Sequence, residues 1–291
     1  MALATVPFTS TPALKKCEFQ KISQLAYQHF GLDLGADKES LVVSRLGRML
    51  RELGLASFQD YYEYVQADRT GAALSAMVDH LTTNHTSFFR EPTHFKFLRK
   101  TIFPTLLNRP QIHIWSAACA TGEEPYSIAM SMLEESPRDT AAKVKIKATD
   151  ISHRVLEKAT QGVYSKDRVA AIPLSLRNRY LPRSVGDPDN TRRFSPRVRS
   201  MIEFEHMNLI TTMPQGYRCS VIFCRNLMIY FDRPTQQRLV ERLSHHLEDG
   251  GYLFIGHSEG LASISHGLEY VCPATYKKPG RLQESSNGSW R

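Results

Sequence analysis

Three carboxylates stand where a small, positively charged or hydroxyl-rich ligand would want them. Glu123 and Glu124 close a loop of small residues, Ser116-Ala-Ala-Cys-Ala-Thr-Gly122, and Asp150 ends the run Val144-Lys-Ile-Lys-Ala-Thr-Asp150. Small side chains let a ligand approach the backbone. The two glutamates would repel phosphate, and neither the glycine pattern of dinucleotide binders nor the lysine of a phosphate-binding loop is present. S-adenosylmethionine, with a sulfonium, an ammonium and no phosphate, suits such a loop. An ordinary turn between strand and helix accounts for the same residues equally well.

The elements that must position these groups follow from the pattern. Ile112 and Ile114 alternate with His113, as in a strand edging into a core. Thr121 and Glu124 have capping-box spacing, and Pro125 suits the first turn of a helix. Tyr126, Ile128, Ala129, Met130, Met132 and Leu133 then supply a helical apolar pattern. Strand, turn and helix together open a βαβ unit. An acid at the end of its second strand commonly accepts from ribose hydroxyls. Asp150 can instead belong to a helix cap, because Ser152 and the helical run Arg154–Ala159 follow it.

Later segments repeat the rhythm. Ser220–Asn226 (SVIFCRN) reads as a buried strand ending in Arg225 and Asn226, and residues at such ends face the ligand crevice of an open parallel sheet. Leu227–Phe231 continues as an apolar loop. Asp232 and Thr235 are candidate caps for a helix at about 235–248, stopped by Gly250-Gly251. Tyr252–Gly256 is a further strand, followed by His257-Ser258-Glu259. Leu268–Cys272 and Ala274–Lys277 are expected to finish the sheet. Residues 162–205 fit the rhythm poorly. They are rich in proline and arginine, and read as a small β excursion of about 175–205. Phe194, Val198, Met201, Ile202 and Phe204 are candidates for its strands.

Upstream, Glu18–Leu81 is helical throughout, giving a small all-α domain at 14–81. In its second helix, Val42, Leu46, Met49, Leu50 and Leu53 share one face at about 100° per residue. Arg45, Arg48 and Arg51 lie opposite, as a solvated face or as a docking surface for an acidic helix. Residues 82–92 (TTNHTSFFREP) join the domains, as a plain linker with two buried rings or as one wall of a ligand cleft. Residues 93–107 form an amphipathic helix that leads into the first strand. Residues 1–13 and 280–291 read as disordered ends.

Composition sets the bounds. The chain has 291 residues, 42% of them hydrophobic, a net charge of +8 and a pI near 9.2. An anionic partner is indicated, whether nucleic acid, membrane surface or acidic protein. Five cysteines without a CxxC pair argue for reduced thiols and against a zinc site. No signal pattern or bilayer-spanning run is present, so a soluble, cytoplasmic protein is expected.

Five ordered segments, TTNHTSFFRE, SAACATGEEPYSIAM, ATDIS, CRNLMIYF and GHSE, together resemble the chemotaxis receptor methyltransferase (CheR) family from about Cys17 to Lys278. The resemblance implies a Rossmann-like class I S-adenosylmethionine-dependent methyltransferase domain at 93–279, carrying a small β-subdomain and preceded by the all-α domain. It implies methyl transfer to glutamates on the cytoplasmic helices of chemoreceptors, giving 5-O-methyl esters. Carried over residue by residue, the cofactor contacts fall on Asn84, Thr86, Arg90, Glu124, Asp150, Asn208, Leu209, Arg225 and Asn226. Asp150 would take the ribose, Asn208 and Leu209 the adenine edge, Glu124 and Asn226 the amino-acid end, and Arg225 the cofactor carboxylate. Arg90 and Tyr230 would lie near the transferring methyl and orient the glutamate. The resemblance favours Arg45, Arg48 and Arg51 as a docking face. In some members the β-subdomain grips a receptor C-terminal peptide through a glycine-punctuated loop. Here that segment has only Gly186, which favours a tether-independent enzyme. A monomer is expected, needing no metal, no nucleic acid and no membrane insertion. His85, His113, His257, Cys119 and Cys224 receive no catalytic role. Two competing readings are a non-catalytic cofactor-sensing or receptor-docking module, and a nucleic-acid methyltransferase, whose acidic-Pro-Pro-aromatic signature is missing.

Overall fold

The computed structural model describes residues 12–135, 140–182 and 190–280. Apart from residues 12, 13 and 280, the segments expected to be disordered fall outside these, as does Gly186. The first helices are α1 (Lys16–Phe30), α2 (Glu39–Leu53), α3 (Phe58–Ala67) and α4 (Ala72–Leu81). In α2 the apolar stripe buries Val42, Leu46, Met49 and Leu50. Leu53, expected on that stripe, is 41% exposed, because the helix ends there at the left-handed Gly54 (φ 68°).

After the linker, the helix expected at 93–107 forms in three pieces: α5 (Pro92–Phe97), a π turn (Leu98–Ile102) and α6 (Phe103–Leu106). The cause is Pro104, which has no N–H and would strike the carbonyl of an earlier turn in a regular helix.

The sheet is built from β1 (Ile112–Ala117), β2 (Val144–Asp150), β5 (Ile202–His206), β6 (Cys219–Phe223), β7 (Leu247–Phe254), β8 (Glu269–Cys272) and β9 (Thr275–Lys277). Helix α7 (Glu123–Glu135) follows β1, the short α8 (Thr140–Lys143) precedes β2, and α9 (His153–Gln161) follows β2. Helix α13 (Arg233–His246) joins β6 to β7. The strand order is β5-β2-β1-β6-β7-β9-β8, with β9 antiparallel to both neighbours and the other pairs parallel. Order reverses at β1, so the carboxyl ends of β1, β2 and β6 open onto the ligand crevice of a doubly wound sheet.

Between α9 and β5 lies the excursion: β3 (Val163–Ser165), α10 (Lys166–Val169), α11 (Leu174–Tyr180), β4 (Thr191–Arg193) and α12 (Pro196–Arg199). Its two strands pair antiparallel with each other. Its composition differs from the expected one. Phe194, Val198 and Met201 lie outside strands, and Ile202 and Phe204 belong to β5 of the main sheet, paired in register with Ile146 and Ala148. A short apolar run does not say which sheet will take it. The neighbouring edge of β2 was the partner with unpaired backbone groups.

Two apolar clusters cover the two faces. One joins α1–α4 to α13 and to Trp115, Ile222 and Leu253 of the sheet, so the N-terminal helices share the core of the sheet. The other gathers α5–α7 and the excursion around Ile114, Ile146 and Phe223. Tyr126 and Phe194 stack there with centroids 4.1 Å apart, fastening the excursion to α7.

Candidate active site

A cavity open to solvent lies at the carboxyl ends of β1, β2 and β6. Asn84, Thr86 and Arg90 of the linker line it, with Glu124 of α7 and Asp150 of β2. So do Asn208, Leu209, Arg225, Asn226 and Tyr230 from the loops after β5 and β6. The linker is therefore a wall of the cleft. Arg45, Arg48 and Arg51 are not among the lining residues.

The floor is the loop after β1. Ala118 and Cys119 both donate their N–H to Thr149 O, at 2.8 and 2.9 Å. Ala118 and Ala120 adopt left-handed φ of 69° and 48°, a conformation that costs a non-glycine residue about 1 kcal/mol or more. Gly122, at φ 93°, cannot be larger, because an added Cβ would lie 2.8 Å from Ala159 Cβ. The capping box does not form. The Thr121 hydroxyl donates to Glu123 (2.7 Å), and Glu124 turns towards the cavity and away from the helix end.

Asp150 is held by two backbone donors, Ala120 N–H at 2.8 Å and Ser152 N–H at 3.0 Å. Ser152 itself caps α9 through Val155 N–H. The cap and the cavity carboxylate are thus adjacent residues with separate tasks. Burial pushes the Asp150 carboxyl up to about 6, against the two hydrogen bonds. Hydroxyl donors from a ligand would stabilise its ionised form.

Glu124 accepts from Ser116 Oγ (2.7 Å) on one oxygen and from Arg225 Nη1 (2.8 Å) on the other. Arg225 also donates to Glu91 (2.9 Å) and to Arg90 O (2.5 Å). Four of its donor contacts go to the protein, counting Nε to Glu91 at 3.2 Å. Arg225 braces the acidic wall from behind and also lines the cavity. Burial would raise the Glu91 carboxyl, but the charge and hydrogen bonds of Arg225 outweigh this and hold it below its ordinary value.

The loop after β6 is held by a group that sequence reasoning passed over. The carboxylate of Glu259 accepts the N–H of Asn226 (2.9 Å), Met228 (2.7 Å) and Gly256. Asn226 sits at φ 58° and needs this tether. Glu91 was missed as well. Each closes one of the segments that carry the family resemblance, TTNHTSFFRE and GHSE, which was the available signal. Tyr230 Oη accepts from Thr83 N–H (3.1 Å) and donates to Thr83 O (3.2 Å), clasping the linker. Arg90 Nη1 donates to His85 O within the same linker. Asn208 Nδ2 donates to His29 O (2.8 Å), which ties the loop to α1. Phe30 and Leu32 consequently line the cavity, a contribution of the N-terminal domain with no local sequence signal.

Burial raises the Cys119 and Cys224 thiols well above their ordinary range, so both stay protonated and non-nucleophilic. Glu91, His94 and His257 bring ligand atoms within 4.8 Å of one another, but Glu91 is already paired with Arg225.

The sheet order, its antiparallel edge and an acid-lined crevice at the switch point define a class I methyltransferase fold. The model of the CheR methyltransferase all-alpha domain matches residues 18–82, and that of the CheR methyltransferase SAM binding domain matches residues 84–277. The chain belongs to the CheR methyltransferase family. A chemotaxis protein methyltransferase of Borreliella burgdorferi is 37% identical over 273 residues, 91% of this chain and 95% of that protein. Chemotaxis protein methyltransferase 2 of Pseudomonas aeruginosa is 40% identical over 260 residues, 89% of this chain and 92% of that one. The chemotaxis protein methyltransferase of Escherichia coli is 37% identical over 259 residues, 88% of each.

Proposed function

We propose that the protein uses S-adenosylmethionine to methylate glutamate side chains on the cytoplasmic helices of chemoreceptors, giving 5-O-methyl esters. The observation that carries this is that one cavity is lined by both Asp150 and Glu124 over a floor of alanines. It offers carboxylates for hydroxyl and ammonium groups and a close backbone approach. Bound S-adenosylmethionine supplies an electrophilic methyl group on sulfur. The protein's part is to hold and orient. Asp150 accepts from ribose hydroxyls, Glu124 and Asn226 face the ammonium, and Asn208 and Leu209 border the base. Arg90 and Tyr230 align the incoming carboxylate.

A glutamate with an ordinary pKa of roughly 4.3 is ionised near neutral pH, so the reaction requires no general base. Alignment and desolvation of opposite charges carry the rate. Arg45, Arg48 and Arg51 are proposed to meet the acidic receptor helix, and a C-terminal receptor tether is not required. The enzyme is proposed to act as a monomer in the cytoplasm and not on nucleic acid. Among the described residues no helix is long and apolar enough to cross a membrane. Transfer of labelled, base-labile methyl groups to receptor cytoplasmic fragments, with and without their C-terminal tails, tests the proposal. No labelling across a panel of receptors would refute it.

A further inference from the structure

A second groove runs alongside the cavity, separated from it by the linker, since Thr82–His85 line both. Its cations come from two domains: Arg45 and Arg48 from α2, Arg154 and Lys158 from α9, and Arg168 from α10 of the excursion. Asp79 is the single carboxylate among the described residues lining it. That carboxylate lies 3.5 Å from Arg154 Nε, and Arg168 pairs with the buried Glu123. Lys158 is exposed, and its ammonium has no hydrogen bond or ion pair among the described residues. Side chains of Arg154 and Arg48 remain 56% and 73% exposed despite their pairings.

We infer that Arg154, Lys158 and Arg168 form a second docking wall, which with Arg48 holds one acidic α-helix of the partner and lays its glutamate across the linker into the cavity. This rests on the proposed methylation of a helical, carboxylate-bearing substrate. Cations on α2 alone would attract such a helix without fixing how it lies. A helix with its side chains is about 10–12 Å across, and cations supplied by both domains set its direction and register as well as its affinity. An excess of cations on the groove favours carboxylates spaced three or four residues apart along one face of the partner.

The test is steady-state methylation of a receptor cytoplasmic fragment by the full chain, its Lys158→Glu variant and its Arg154→Glu/Lys158→Glu variant. Binding of S-adenosylmethionine by calorimetry, and thermal melts, run in parallel. Expected are KM values for the fragment raised about threefold and about tenfold, with kcat and cofactor affinity within twofold of the parent. Lys158→Arg should restore the parental KM, and the salt dependence of KM should flatten in the double variant. Unchanged KM in both variants, with the parent active, overturns the second wall while leaving the methylation reading intact. So does a parent that retains DNA or RNA through Lys158 while KM for the fragment stays unmoved. A parent that methylates no receptor fragment removes both.

Discussion

Arg225 Nη1 stands 2.8 Å from Glu124 Oε2, and both side chains are nearly enclosed, at 3% and 11% exposure. The acidic wall of the cavity is thus compensated from behind. Glu124 faces the cavity while its second oxygen meets a guanidinium shared with Glu91. Removing one partner of such a buried network leaves uncompensated charge, which typically costs about 3–5 kcal/mol. Arg225→Met should therefore lower the denaturation midpoint sharply and abolish cofactor binding. Glu124→Gln, which keeps the shape and one acceptor oxygen for Arg225, should fold and weaken cofactor affinity about tenfold in calorimetry.

Asp150 gives a pH signature. In the unfolded chain its pKa is near 3.8, and in the fold burial raises it to about 6. A raised carboxyl pKa stabilises the fold only while the group is protonated in both states, and that advantage is lost as pH rises through the folded value. Asp150→Asn removes the titration. Its stability relative to the parent should climb by about 1–3 kcal/mol between pH 4 and pH 7, then level off. Urea unfolding at several pH values measures this. The same variant should bind S-adenosylmethionine about 10- to 100-fold more weakly at pH 7.5, through loss of charge-assisted hydrogen bonds.

Gly256 packs directly on the loop after β6. An added Cβ would lie 2.4 Å from Asn226 Nδ2 and 2.8 Å from Glu259 Oε2. Gly256→Ala should cost about 1–3 kcal/mol by overpacking and reduce kcat/KM at least tenfold, because the loop itself must shift. Glu259→Gln leaves one acceptor oxygen for three N–H groups and should show the same pattern with a milder fall in activity. Activity intact in both variants would mean that this tether does not position the site.

The Tyr230 hydroxyl is engaged by both backbone groups of Thr83. Tyr230→Phe should loosen the linker and raise the dissociation constant for S-adenosylmethionine about three- to tenfold, with a stability loss of about 1 kcal/mol. A fall in kcat alone, with cofactor affinity unchanged, would instead put the hydroxyl on the substrate.

Arg45 and Arg48 sit one turn apart on α2 but should fail differently. Arg45 Nη1 donates to Leu81 O (2.6 Å), and its Nη2 donates to Thr83 Oγ1, so Arg45 braces the linker. Among the described residues Arg48 pairs only with the exposed Glu52. Arg45→Ala should weaken cofactor binding several-fold, whereas Arg48→Ala should raise only the KM for receptor, by about twofold.

Much of the scaffold was legible in the sequence because its signals are local. The alternation of Ile112 and Ile114, the strand ending in Asp150 and the helix capped by Asp232 each follow from a few adjacent residues. The five segments that carry the resemblance led to the cavity residues, since strand ends and the loops after them must meet at the switch point of a parallel sheet. Leu53, the capping box at Thr121 and the bounds of the excursion were misjudged where two local patterns competed. At Ile202–His206 the winner was an open sheet edge, which no window of sequence displays.

What the chain alone determined was which residues are helical or extended, and which carboxylates and small residues stand at strand ends. Packing decided which charges are compensated. Arg225 meets Glu124 and Glu91 across separations of 101 and 134 residues, and Glu259 reaches Asn226 across 33. Such pairs form because burial penalises every unpaired charge, and each group takes the partner that the folded core brings within about 3 Å. Phe30 and Leu32 reach the cavity for a related reason: the N-terminal helices share the core of the sheet, and only that shared burial carries them there.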